Sequence, residues 1–128
     1  MEVFSISTSA LKSSSLAEEV SANNIANINT PEFKASRVDL ETGQDGKGVV
    51  VSQISQDQNP GAISEQIELQ PNAQTGQIEQ QIVSKETSNT DLAQEMVNQI
   101  LNERFFEANT RPISTYDSML GNFINIFA

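Results

Sequence analysis

DLAQEMVNQILNERFFEANTRPISTYDSMLGNFINIF, residues Asp91–Phe127, decides how the rest of the chain is read. Leu92, Met96, Ile100 and Leu101 recur at helical spacing, with Ala93 and Val97 one step around. Ile113, Tyr116, Leu120, Phe123 and Phe127 then alternate steps of three and four, the spacing of a coiled-coil seam. A helix over the whole stretch is roughly 55 Å long at about 1.5 Å per residue. What precedes it is too little to cover that apolar surface, so the stretch needs partners. Pro112 interrupts the pattern. Interior proline removes a hydrogen bond, so either the helix bends near Thr110–Pro112 or its two halves serve different neighbours. Ser88-Asn89-Thr90 supplies N-cap candidates, and Asp91 in the first turn suits the positive end of the helix dipole.

The other end of the chain carries a second helical signal, over residues 5–28. Ile6, Ala10, Ala17, Val20 and Ile28 share one stripe, with Ser13 and Asn24 filling it. Phe4, Leu11, Ala22, Ile25 and Ala26 lie toward the opposite side. A helix on an ordinary globule has one apolar face, so two faces imply neighbours on more than one side. The helix is expected to stop at Asn29-Thr30-Pro31, because the residue before proline is pushed out of the helical region.

Between the two lies a different composition. Gln, Ser, Asn, Gly and Asp dominate residues 32–88, with Pro60 and Pro71. Gly43 to Gly48 read as a turn, and Val49 to Ile54 as a short strand. Ile63, Ile67 and Leu69 give a weak signal, as do Ile78, Ile82 and Val83. The reading is of extended or β-like segments joined by loops, partly disordered when alone. The expected fold is therefore mainly α: terminal helices paired as an antiparallel coiled coil, with a short extended or β-like insert. The expected divisions are 1–34, 35–88 and 89–128.

Bulk properties narrow the function. The 128 residues make one domain at most, and 17 acidic residues against 7 basic give a net charge of −10. That charge opposes nucleic acid, which is bound by neutralising phosphates with Lys and Arg, and opposes an anionic membrane surface. No apolar run approaches a membrane span, and no direct membrane insertion is expected. The first residues show no basic and then apolar run of a cleavable secretory signal. There is no Cys and no His, so disulfides and the usual zinc and haem ligands are absent, and no cofactor is expected.

Candidate chemistry is thin. Ser9-Ala10-Leu11-Lys12 matches the S-x-x-K pattern of penicillin-binding enzymes, but without the companion motifs or a large fold it reads as a solvated helical turn. Glu18 and Glu19 diverge on a helix, and nothing near Glu65 and Glu68 would tune them as an acid–base pair. No catalytic site is expected. Arg104 falls by phase among Ala93, Val97, Ile100 and Ala108. Either its stem covers apolar surface while its head reaches water, or its planar fork binds a carboxylate or carbonyl of a neighbouring chain, with Glu103 and Glu107 as local competitors. Asn23, Asn24, Asn27 and Asn29 crowd the end of the first helix, as a simple stop or as a polar register device at a helix contact.

At these residues the chain resembles a known family. Ala22-Asn23-Asn24-Ile25-Ala26-Asn27-Ile28-Asn29-Thr30-Pro31 is similar to the ANNIANxxTP signature of flagellar axial proteins, the rod, hook and hook-associated proteins. The family continues with Gly-Tyr-Lys, where this chain has Glu32-Phe33-Lys34. Ser88 to Asn98 resembles the family's S-N-V-D-L-A-E-E-M-V pattern, and Arg104-Phe105-Phe106-Glu107-Ala108-Asn109 its R-A-Y-E-A-N box. Pro112 falls where the family runs unbroken helix. The short insert, and the run of Val51, Ile54, Asp57 and Pro60, resemble the proximal-rod members.

The resemblance implies a structural subunit of the flagellar basal-body rod. Such subunits leave the cytosol through the flagellar type III export apparatus without a cleaved signal, and assemble helically in the periplasm with copies of themselves and other rod subunits. The implied interface residues are Ile6, Ala10, Ala17, Val20, Asn23, Asn24, Ile25 and Asn27 at one end. At the other they are Leu92, Met96, Ile100, Leu101, Arg104, Phe105, Phe106, Ile113, Tyr116, Leu120, Phe123 and Phe127. The rivals are a distal-rod or hook-like paralogue and a cytosolic coiled-coil binding module.

Overall fold

The computed structural model describes residues 2–74 and 76–127. Helix α1 spans Glu2–Ala26 and helix α2 spans Leu92–Phe127. Between them the chain forms two antiparallel hairpins: β1 (Ser36–Thr42) with β2 (Val49–Gln56), and β3 (Ile63–Pro71) with β4 (Ile78–Glu86). Each hairpin is a two-stranded sheet of its own.

The expectation of a mainly α chain with a short insert is overturned: the fold is mixed α/β. The physical reason lies in the period of the middle. Ile63, Ile67 and Leu69 sit at odd positions of β3, and Ile67 pairs with Ile82 while Pro71 pairs with Ile78. An alternation of two puts these residues on one face of a strand pair and would scatter them around a helix. The 72–77 turn closes through the Asn72 N–H donating to the Gln77 carbonyl at 2.8 Å.

Helix α1 begins and ends earlier than residues 5–28. Beyond Ala26 the backbone tightens into turns: Ile28 N–H donates to the Ile25 carbonyl (3.2 Å) and Thr30 N–H to the Asn27 carbonyl (2.9 Å). Helix α2 is capped by Asp91 and not by Ser88, Asn89 or Thr90. Its Oδ1 accepts from Ala93 N–H at 2.9 Å and Gln94 N–H at 3.2 Å, satisfying donors the first turn leaves open. The helix then runs unbroken through Pro112. Near the proline, side chains bond neighbouring carbonyls: Asn109 Nδ2 to Phe105 (2.8 Å), Thr110 Oγ1 to Glu107 (2.7 Å) and Thr115 Oγ1 to Arg111 (3.0 Å).

The helices run antiparallel along each other. Asn24 meets Glu95, Glu18 meets Asn102, and Val3 shares a groove with Tyr116 and Met119. No large apolar side chain is buried among the described residues; the buried ones are Ser7, Ser13, Ser21, Asn24 and Glu95. Ser7, Ala10, Ser14, Ala17, Ser21 and Asn24 follow at steps of three and four, and small residues in such a row let two helices approach closely.

The first hairpin lies on α1. Val49 N–H donates to Ser9 Oγ at 3.1 Å, and Lys47 Nζ pairs with Glu2 at 2.7 Å. Gly48, at φ +72°, makes the approach possible, since a Cβ there would stand 2.5 Å from Ser9 Oγ. The second hairpin packs chiefly on itself.

Candidate assembly surface

One polar knot joins α1, β1 and α2. The Asn24 side chain, 1% exposed, sits at its centre. Its Oδ1 accepts from Ser36 N–H (2.8 Å), and its Nδ2 donates to the Ser36 carbonyl (2.7 Å) and to Glu95 Oε1 (2.8 Å). The carboxamide thus engages both backbone groups of one β1 residue as a neighbouring strand would, and reaches α2 with its second N–H. Ser21 Oγ adds a bond of 3.4 Å to the Glu95 carbonyl.

Asn89 makes a second junction. Its Oδ1 accepts from Ala35 N–H (2.7 Å), and its Nδ2 donates to the carbonyls of Asp57 (3.0 Å) and Asn59 (2.9 Å). Glu86 makes a third, accepting from Lys34 Nζ and from Gly61 N–H, both at 2.5 Å. The Lys34 bond, then the Gly61 N–H, hold the Glu86 carboxyl below its ordinary value. Here Gly61 is forced: a Cβ would fall 2.0 Å from the Thr87 carbonyl oxygen. Glu32 N–H donates to the Glu86 carbonyl (2.9 Å) with Glu32 at φ +61°, the left-handed region. That is the position where the resembling proteins carry glycine.

Outside the knot the apolar residues face solvent. Of the anticipated interface residues, Leu92, Met96, Ile100, Leu101, Phe105, Phe106, Leu120 and Phe123 are exposed, as is Ile6. Ala10, Ala17, Val20, Ile25, Ile113 and Tyr116 are half-buried. Val20 borders Ser36, Val38 and Leu40, so its side chain leans toward β1. The side chain of Phe127 lies outside the described residues. Arg104 is exposed and pairs with Glu107 at 3.1 Å, so the local competitor holds it.

The asparagines divide their labour. Asn24 makes the contact between the helices, through Glu95, and holds Ser36 of β1. Asn27 tightens the helix end, donating to the Asn23 carbonyl (2.9 Å) and accepting from Thr30 Oγ1 (3.1 Å), while Asn23 is exposed. In the S-x-x-K turn, Ser9 Oγ donates to the Ile6 carbonyl (2.7 Å) and accepts from Val49, a structural use.

Sequence reasoning missed three features: the Asn89 and Glu86 junctions and the apolar face of the second hairpin. The hairpin's alternation was visible as a pattern. The junctions were not, since each depends on backbone brought from far along the chain.

An open groove between the helices is lined by Ala22, Met96, Ile100 and Phe106 and rimmed by Glu18, Glu19, Glu103 and Glu107. Among the described residues no group of acidic side chains is placed to hold a metal ion, and no helix is long and apolar enough to cross a membrane. The arrangement suits packing against other chains.

Two protein-family models match the chain. Residues 4–34 match the model described as "Flagella basal body rod protein", and residues 79–126 the one described as "Flagellar basal body rod FlgEFG protein C-terminal". No curated protein matches the chain. The two matched segments are α1 with the turn after it, and most of β4 with α2, the pieces that the Asn24–Glu95 bond ties together. The chain belongs to the flagellar basal-body rod family, whose members are structural parts of the motility apparatus.

Proposed function

We propose that the chain is a structural subunit of the proximal rod, similar to FlgC, that polymerises helically through its paired terminal helices into the drive shaft. The observation that carries this is the inside-out distribution of apolar residues. The residues buried between the helices are small or polar, and the large apolar side chains, including those lining the groove between the helices, are left exposed. A chain built this way gains its hydrophobic stabilisation from neighbours, at about 1.5–3 kcal/mol for each large side chain they cover.

Export through the flagellar type III apparatus to the periplasm without a cleaved signal is part of the same reading. The absence of Cys, and the lack of a buried apolar core among the described residues, suit a chain that must be threaded unfolded. The subunit acts by packing, with no catalytic role. The Val51-Ile54-Asp57-Pro60 run supports the proximal position.

A second reading, a distal-rod or hook-like paralogue, is favoured by the wording of the C-terminal match. Localising a labelled subunit along isolated basal bodies separates the two: label next to the export apparatus supports the proximal position, and label next to the hook overturns it. Ile100→Asp and Leu120→Asp change exposed residues and should alter the free chain by under about 0.5 kcal/mol. Both should still be exported but should abolish incorporation and motility. Normal motility in both variants would remove these faces from the interface.

A further inference from the structure

The β3–β4 hairpin carries a face that the chain itself does not use. Ile63, Ile67, Leu69, Ile78 and Ile82 lie on one side of it, each at least 67% exposed. The other side carries Ser64, Gln66, Gln81 and Val83 and holds the Lys85–Glu68 ion pair. A lone two-stranded hairpin is marginal in water, so this face needs a cover. Glu65 shares the apolar face by register, between Ile63 and Ile67, and makes no ion pair among the described residues.

At the opposite end of α1, Val3, Ala108, Pro112, Tyr116 and Met119 line an open apolar groove around Arg111. Arg111 is exposed and, among the described residues, likewise has no ion pair. The hairpin springs from the knot at the C-terminal end of α1, and the groove lies at its N-terminal end. The two surfaces are therefore separated by about the length of the helix, roughly 37 Å at about 1.5 Å per residue.

We infer that the apolar face of the β3–β4 hairpin docks into the Arg111 groove of a second copy of this chain, with Glu65 paired to the Arg111 guanidinium. Each surface is an apolar patch with one unpaired charge, and the charges are opposite. Hairpin on hairpin would bring two Glu65 carboxylates into one patch, and groove on groove two Arg111 guanidinium groups. The charges thus select the heterologous contact over both symmetric ones. A heterologous contact that does not close on itself propagates as a helix, the form the proposed shaft requires. This deepens the proposed function and rests on it.

The natural absence of Cys makes the test clean. Ile67→Cys and Thr115→Cys chains are co-expressed, and isolated basal bodies are treated with a short bis-maleimide. A cross-linked dimer is expected. It should fall at least tenfold with Glu65→Arg or with Arg111→Glu, and return when both reversals are combined. Basal bodies that contain the chain but give no dimer, or a dimer indifferent to both charges, overturn this contact and leave the rod assignment standing. A chain absent from the basal bodies even without substitutions overturns both.

Discussion

Asn24 shows how much one side chain decides. Replacing it with Ala leaves the Ser36 N–H and carbonyl and the Glu95 carboxylate without their partner. Stranding buried polar groups costs about 1–3 kcal/mol each, so the loss should reach about 3 kcal/mol. Asn24→Asp should be worse at neutral pH, because it places a second carboxylate beside Glu95. Amide hydrogen exchange at Ser36 reads both: protection should fall in the order wild type, Ala, Asp, and equal protection in all three would contradict the role. Glu32 offers the opposite sign. Its left-handed backbone costs a residue with a Cβ roughly 1–2 kcal/mol, so Glu32→Gly should stabilise by about 1 kcal/mol in a urea titration, less the entropy glycine brings to the unfolded chain. No gain would mean that the Glu32 side chain compensates. The sequence already showed this site as the place where Glu stands for the family's glycine. It also showed the asparagine cluster, but not that Asn24 alone would be buried: that depends on the Ser36 backbone arriving beside it.

Elements differ in how openly the sequence declares them. The helices were readable from periodicity, and the family motifs bracket them. Their mutual orientation of small residues inward and large residues outward was less readable, because an apolar stripe looks the same whether it meets its own chain or another. The hairpins were underestimated. Their strands alternate weakly, and what pins them is distant: Ser9 under Gly48, Glu86 under Gly61. The second hairpin should accordingly be sensitive to acid. The Glu86 carboxyl is held below its ordinary value by Lys34 and then by the Gly61 N–H. A depressed carboxylate contributes stability that is present above its unfolded pKa and is lost as pH falls through the folded one. Gly61 amide exchange, corrected for intrinsic rates, should therefore accelerate as the pH drops below the ordinary carboxylate range. In Glu86→Gln that acceleration should vanish, and persistence of the same profile would place the acid response elsewhere.

The whole molecule is a subunit with its covering surfaces turned outward. A polar knot sets the angle between the helix pair and the two hairpins, and the knot is satisfied within the chain. The apolar faces are left exposed, and in the proposed assembly neighbours supply what a core supplies elsewhere. This division explains why the termini carry the family's motifs: they hold both the knot and the outward faces. The direct test is a cryo-electron microscopy map of the intact basal body at side-chain resolution. The account predicts that Met96, Ile100, Phe106 and Leu120 lie buried against neighbouring subunits while Asn24 keeps its bonds to Ser36 and Glu95 within its own chain. A map in which those four side chains face solvent on the assembled rod would contradict it.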